Sequence, residues 1–113
     1  MCGIWFFLSK KKHSISNTEL YNLYSTVKSR GPESSTYYEL DEYGLKFGFH
    51  RLKIMDKTTN GDQPFIYEFG DRVIYVICNG EIYNYQEIPD KYNISLKSGS
   101  DCEVIVSLYL KFG

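Results

Sequence analysis

The sequence lacks the features that mark several large classes of protein. Its three cysteines, Cys2, Cys78 and Cys102, form no Cys-X-X-Cys pair, and an odd number argues against the disulfide framework of a small secreted domain. The apolar run at 4–8 is too short to cross a bilayer, and basic residues follow it, which is the reverse of a secretory signal. A formal net charge of -1, from 13 basic and 14 acidic residues, gives no reason to expect nucleic acid or an anionic membrane as a partner. We therefore expect a cytoplasmic location, and small polar ligands remain open.

Repeats, low-complexity linkers and internal boundaries are also absent, so the 113 residues are interpreted as one domain. Many tyrosine, phenylalanine and isoleucine residues occur in short runs, which favours β-strands. The run at 4–8 predicts a strand buried on both faces, and RVIYVIC at 72–78 predicts another. STYYEL and LKFGFHRL, joined by a DEYG turn, predict a β-hairpin, and 56–64 is predicted to be a loop that faces a ligand.

Two capping boxes predict the starts of two helices. Ser16 and Glu19 predict a helix at about 17–28, which the Arg-Gly-Pro sequence that follows would end. Ser100 and Glu103 predict a second helix, which ends near the end of the chain. The buried stripes are predicted to be Leu20, Leu23, Tyr24 and Val27 in the first helix and Val104, Ile105, Leu108 and Phe112 in the second.

Position 2 carries the first candidate for catalysis. If the initiator methionine is removed, Cys2 becomes the N-terminal residue, and its thiol and α-amine then form a nucleophile and a base on one residue. Transfer of a proton from a cysteine thiol to an α-amine costs only ~1 kcal/mol at their reference acidities, so no histidine is needed. A cysteine at this position can equally be a small apolar residue of the core.

The sequence CNGEIY at 78–83 carries the second candidate. A strand that ends in Asn79-Gly80 would present a side-chain amide and a backbone N–H, two neutral donors suited to a developing oxyanion. Asn-Gly is also the most usual turn of a β-hairpin, and the residues alone leave that alternative open.

Charged residues near these segments are candidates for binding an amino acid. Arg51, at the end of a predicted strand, can hold a carboxylate through two parallel hydrogen bonds. Glu81, and Asp101 in the first turn of the second predicted helix, are candidate partners of an ammonium group. Each of the three can equally be a solvated surface, turn or capping residue.

Six motifs together carry a resemblance to a known family. They are MCGIW at 1–5, RGPE at 30–33, FGFHRLKIMD at 47–56, QPF at 63–65, CNGEIYNY at 78–85 and SGSDCEVI at 98–105. In this order they resemble the class II glutamine amidotransferases, and most of all the glutaminase domain of glutamine-hydrolysing asparagine synthetase. The resemblance covers nearly the whole chain.

The resemblance implies an α+β fold, the N-terminal nucleophile hydrolase-like four-layer αββα sandwich with antiparallel sheets, of which 1–113 would be an incomplete part. It implies hydrolysis of L-glutamine to glutamate and ammonia through a thioester on Cys2, whose α-amine carries the proton. The other implied site residues are Asn79 and Gly80 for the oxyanion hole and substrate contact, Arg51 for the substrate carboxylate, the backbone of Leu52, Lys53, Ile54 and Met55 as lining, and Glu81 with Asp101 for the α-ammonium.

Two departures from the family pattern matter. The family often has a histidine before Arg-Gly-Pro and an aspartate after it, where this chain has Ser29 and Glu33. These positions are implied to support the cysteine loop. The chain also stops before further strands of the family's glutaminase domain and before its ATP-dependent synthetase domain. ATP and magnesium are therefore expected only for that absent domain, with no cofactor and no metal in this chain.

An incomplete sheet leaves open edges, and these support an alternative to the interpretation of the chain as an enzyme. The chain can be a catalytically inactive remnant, or a module that binds glutamine or a partner. Expected partners are L-glutamine and either a separate synthetase subunit or a second copy at the open sheet edges, with no nucleic acid and no membrane. A metal or papain-like site built from Cys2, His50 and Cys78 is a third interpretation, although the two histidines lack ligand spacing.

Overall fold

Two compact units, Met1–Leu52 and Lys53–Gly113, make up the computed structural model, which describes residues 1–113. The first unit contains a three-stranded sheet and the second a two-stranded sheet, and every strand pair is antiparallel. The predicted α+β class with antiparallel sheets is therefore confirmed. None of the helices combines the length and the hydropathy that a membrane span needs.

The first sheet contains β1 (Gly3–Leu8), β2 (Ser34–Leu40) and β3 (Leu45–Arg51), with β3 in the middle. The predicted hairpin of β2 and β3 is confirmed. A 3-10 turn at Asp41–Tyr43 and Gly44 joins the two strands. Gly44 has φ of 62°, a left-handed conformation that glycine adopts without steric cost.

Helix α1 (Asn17–Ser25) begins at the predicted capping box. The Glu19 N–H donates to the Ser16 Oγ at 3.2 Å, and the Ser16 N–H donates to a Glu19 carboxylate oxygen at 2.8 Å. The helix ends three residues before the predicted boundary, and a 3-10 turn follows at Lys28–Arg30. The capping pattern correctly predicts the start of this helix. The predicted end was too late because it did not allow for the 3-10 turn that follows.

The buried side of α1 faces the first sheet. Leu20 and Tyr24 are buried as predicted, but Leu23 is exposed. The Tyr24 ring lies against Gly48 of β3, where an added Cβ would come within 2.3 Å of a ring carbon. Glycine at this position therefore lets the helix approach the sheet closely.

The prediction that β1 is buried on both faces is wrong for one face. Ile4, Phe6 and Leu8 point to the same side of the strand, since side chains alternate along it, and all three are exposed. Trp5 and Phe7 on the other side are half-buried among aromatic rings.

The second unit contains β4 (Phe65–Phe69), β5 (Arg72–Val76), α2 (Glu87–Tyr92) and α3 (Glu103–Phe112). Neither β4 nor α2 was predicted, and β5 ends two residues earlier than predicted. The core of this unit forms where the sheet meets the start of α3. It contains Phe65, Cys102 and Val106, packed against Tyr67, Ile74, Val76, Cys78 and Leu110.

The start of α3 differs from the predicted capping box. The residue that precedes the helix is Cys102, and no side chain caps the first turn. The Glu103 carboxylate instead accepts backbone hydrogen bonds from Lys97 and Ser98, which lie before the helix. Val104 is buried as predicted, whereas Ile105 and Phe112 are exposed, so the buried stripe was only partly predicted.

Candidate active site

Cys2 lies beside the backbone of Leu52 in the first unit. The antiparallel register pairs Gly3 with His50, so the residue before β1 comes next to the residue after β3. The Leu52 N–H donates to the Cys2 Sγ at 3.3 Å, and the Sγ is 3.7 Å from the Leu52 carbonyl oxygen. A backbone N–H directed at sulfur stabilises negative charge there, which suits a nucleophile.

Arg30 holds the backbone of Cys2. Its Nε donates to the Cys2 carbonyl oxygen at 3.0 Å. The next residue, Gly31, lies so close to the end of β3 that an added Cβ would be 2.1 Å from the His50 carbonyl oxygen. The Arg-Gly-Pro turn therefore needs glycine to reach β3 and arginine to hold the Cys2 backbone.

His50 is fully engaged in the core of the first unit, with 1% of its surface exposed. One ring nitrogen, Nε2, donates to the Tyr24 carbonyl oxygen at 3.1 Å, so Nδ1 accepts from the Ser35 hydroxyl at 2.7 Å. The ring also stacks on Tyr24. Both nitrogens are occupied, which leaves neither to act as a base for Cys2 or as a metal ligand. Among all 113 residues, no group of three His, Cys, Asp or Glu side chains is arranged to hold a metal ion.

Arg51 is the last residue of β3 and is buried. Its carbonyl oxygen accepts the Glu33 N–H at 3.2 Å, which extends the pairing with β2 past the strand end. The residue therefore has a fixed backbone directly beside Leu52, the contact of Cys2.

The Asn79-Gly80 segment of the second unit is not a hairpin turn. It follows β5, but the next element along the chain is α2 and not a strand. The Gln63 side-chain oxygen accepts the Cys78 N–H at 2.6 Å and so holds the chain at the entrance to this segment. Asn79, Gly80 and Glu81 are all exposed, so their polar groups can meet a ligand.

Asp101 and Cys102 fasten the other end of this segment. The Asp101 carboxylate, only 5% exposed, accepts the Ile82 N–H at 2.7 Å. The Cys102 thiol donates to the Gly80 carbonyl oxygen at 3.6 Å. Burial, and then the neighbouring Cys78 thiol, raise the pKa of Cys102 to about 12, so Cys102 stays a neutral thiol at pH 7. Asp101 lies in the turn before α3 and not in the first turn of the helix as predicted.

The structure brings together two groups of the predicted site residues. Cys2 and Leu52 are in contact in the first unit, and Asp101 contacts the segment that contains Gly80 and Glu81 in the second. Lys53 lies in the second unit with its ammonium 3.8 Å from Asp62. The remaining predicted lining residues, Ile54 and Met55, are exposed.

Four supporting residues were missed in the sequence, although all four lie within the six motifs. They are Arg30, Asp56, Gln63 and Glu103. Each binds a backbone group of this chain and is not among the groups assigned to the substrate. The signal that could have found them is their place in the motifs of the resemblance, and Asp56 and Glu103 even share a motif with predicted site residues.

The family model of the glutamine amidotransferase domain matches residues 1–113. The chain belongs to this family. No solved structure matches the chain significantly.

Several curated relatives of this glutamine amidotransferase domain are named as asparagine synthetases. A probable glutamine-hydrolysing asparagine synthetase of Acanthamoeba polyphaga mimivirus is 38% identical over 111 residues, which are 96% of this chain and 20% of that protein. Glutamine-hydrolysing asparagine synthetase 2 of Bacillus subtilis strain 168 is 43% identical over 95 residues, which are 83% of this chain and 12% of that protein. Glutamine-hydrolysing asparagine synthetase 1 of Arabidopsis thaliana is 37% identical over 115 residues, which are 100% of this chain and 19% of that protein. The chain thus spans about a fifth or less of the length of these three relatives.

Proposed function

We propose that this glutamine amidotransferase domain hydrolyses the side-chain amide of L-glutamine to glutamate and ammonia, as the glutaminase part of an asparagine synthetase-like protein. The observation that carries the proposal is the family match over residues 1–113, which includes every residue of the candidate site. Relatives named as glutamine-hydrolysing asparagine synthetases support the same reaction.

The reaction begins at Cys2. Removal of Met1, which is 72% exposed, would free the Cys2 α-amine. The amine takes the thiol proton as sulfur attacks the amide carbon of glutamine, and the Leu52 N–H stabilises the thiolate. The tetrahedral intermediate then expels ammonia, which takes its proton from the α-ammonium. Water hydrolyses the thioester that remains, which releases glutamate and restores the thiol.

The oxyanion of the tetrahedral intermediate needs neutral donors. The Asn79 side-chain amide and the Gly80 N–H supply two, on a segment that Gln63 holds at one end and Asp101 at the other. Loss of one such donor costs about a hundredfold or more in rate when the donor is preorganised.

Charge identifies the amino-acid end of the substrate. Arg51 binds the α-carboxylate of glutamine, and Glu81 and Asp101 bind its α-ammonium. The Ile82 N–H uses only part of the acceptor capacity of Asp101, since a carboxylate has about four acceptor positions. The backbone of Leu52 and of the next three residues lines the site.

The ammonia is consumed elsewhere in this proposal. A synthetase part, in the same protein or in a separate subunit of the cytoplasm, would use it to form an amide. ATP and magnesium belong to that part, and no step above uses them.

The decisive experiment measures glutamate released from L-glutamine by the purified chain, with the N-terminal mass recorded. Cys2→Ala should lower the rate at least about a thousandfold, because the nucleophile is lost. Ser14→Ala, at an exposed site of the same compact unit, is the control and should change the rate less than twofold. A folded chain that begins at Cys2, binds glutamine and releases no glutamate would instead be a binding module.

A further inference from the structure

The most deeply buried carboxylate of the second unit, Glu103, takes no part in the proposed reaction. It is the first residue of α3 and has 1% of its surface exposed. One carboxylate oxygen accepts the Lys97 N–H at 2.7 Å and the Tyr67 hydroxyl, and the other accepts the Ser98 N–H at 2.7 Å and the Ser98 hydroxyl. Four donors therefore converge on one side chain.

A buried carboxylate is costly unless such donors satisfy it. Here both oxygens are satisfied, and the start of a helix further favours negative charge. Burial and the Glu103 carboxylate both raise the pKa of Tyr67, so its hydroxyl stays protonated and remains a donor. The arrangement ties the segment at 97–98 firmly to the start of α3.

Asp56 anchors the same segment from a second direction. Its Oδ2 accepts the Gly99 N–H at 2.8 Å, while its Oδ1 accepts the Thr58 N–H at 2.8 Å. The next amide, that of Ser100, donates to the Ser98 hydroxyl at 3.2 Å. Side chains thus hold four consecutive backbone amides, at 97–100, and the residue that follows directly is Asp101.

We propose that Glu103 is a positioning residue for the ammonium site of the substrate. By fixing 97–98 and the start of α3, it places the Asp101 carboxylate on the Ile82 N–H and towards the α-ammonium of glutamine. The second half of this inference rests on the proposed function, whereas the first half concerns the chain alone.

Glutamine at position 103 cannot replace the carboxylate. Every hydrogen bond to Glu103 requires an acceptor, and each of its two oxygens meets a backbone N–H. An amide of the same shape would direct an NH2 group at one of these N–H donors. Glu103→Gln is therefore a sharp test, and Glu68→Gln, at an exposed site on β4, is its matched control.

The first measurement is amide hydrogen exchange followed by NMR. In Glu103→Gln the Ile82 amide should exchange at least about tenfold faster than in the wild type, although this amide donates to Asp101 and not to Glu103. Amides of β5, in the same compact unit as Ile82, report general opening of that unit and should change less than twofold. Unchanged protection of Ile82 in a folded variant would overturn the proposal, whether or not the chain hydrolyses glutamine.

The second measurement compares two substrates, glutamine and glutaramic acid, which is glutamine without its α-ammonium group. Glu103→Gln should raise KM about tenfold for glutamine and less than twofold for glutaramic acid, with Asp101→Ala as the reference for a lost ammonium contact. An equal rise for both substrates would show a general structural role and refute positioning. A wild-type chain with no hydrolysis would refute the proposed function alone, because the exchange measurement still decides the role of Glu103.

Tyr67→Phe is a second variant for the same exchange measurement, to be used if Glu103→Gln fails to fold. It removes one donor from Glu103 and leaves every backbone contact in place. The Ile82 amide should again lose protection, by about threefold or more. No change at Ile82 in this variant would contradict the proposal.

Discussion

Arg30 shows how a residue can matter to a site without meeting the substrate. Its side chain is exposed, yet its Nε holds the Cys2 carbonyl oxygen at 3.0 Å. The residue stood within a motif of the resemblance, but neither composition nor spacing gave it a role, since the contact joins positions 28 residues apart. Cys2 itself was a candidate because of its position in the chain, and its neighbour Leu52 was expected only from the resemblance.

We expect Arg30→Ala to lower kcat for glutamate release about tenfold, because displacement of a nucleophile by a fraction of an ångström is costly. The free energy of unfolding should change by less than about 0.5 kcal/mol, as for most exposed positions. Steady-state kinetics and urea unfolding together check this. Lys28→Ala, in the same 3-10 turn, is the control, and equal losses in both variants would contradict a specific role for Arg30.

At the scale of elements, local patterns predicted the structure where the stabilising contacts are local. The start of α1 and the β2–β3 hairpin depend on residues a few positions apart, and both were correct. The predicted start of α3 was wrong because the Glu103 carboxylate binds Lys97, Ser98 and Tyr67, which all lie outside the helix. The six-residue helix α2 was missed because so short a segment, with a proline inside, gives no helical period.

The capping box of α1 allows a direct test of one such local contact. Ser16→Ala removes the oxygen that accepts the Glu19 N–H, so we expect a loss of about 1 kcal/mol in the free energy of unfolding. Ser14→Ala removes an exposed hydroxyl just before the cap and should have no measurable effect. Urea unfolding followed by circular dichroism measures both, and equal unfolding midpoints for the two variants would contradict the capping role.

The stability contributed by the Glu19 carboxylate, which accepts the other hydrogen bonds of the capping box, should depend on pH. The Ser16 N–H, and then the Ser16 hydroxyl, donate to Glu19 and hold its pKa below the ordinary value of 4.5. A carboxyl whose pKa is lowered by folding adds stability above its unfolded pKa and loses it as the pH falls through the folded value. The difference in urea midpoint between wild type and Glu19→Gln should therefore be full at pH 7 and vanish below that lowered pKa. A difference that is constant with pH would contradict this assignment.

At the scale of the whole molecule, the candidate site was predicted from the order of motifs and not from any single pattern. The Asn79-Gly80 sequence alone favoured a hairpin turn, and Cys2 alone could have been a core residue. Antiparallel pairing of β1 with β3 explains why Cys2 meets Leu52, 50 positions away. Single-sequence patterns could not supply that pairing, because strand register depends on contacts that are distant in the chain.

The exposed face of β1 has a consequence for the behaviour of the whole chain in solution. Ile4, Phe6 and Leu8 are 38%, 58% and 50% exposed on a strand at the edge of its sheet. An apolar edge strand invites pairing with other copies, so we expect the chain to associate as its concentration rises. Phe6→Lys should raise the concentration at which association begins by about threefold or more, since an edge lysine opposes such pairing.

Sedimentation velocity over a range of concentrations measures this association. Phe69→Lys is the matched control, because Phe69 is 57% exposed at the end of β4 and lies outside the apolar face of β1. If the β1 face drives association, the Phe6 variant alone changes it. Equal shifts in both variants would mean that net charge and not this face controls association, because both substitutions add one positive charge to a chain whose formal charge is -1.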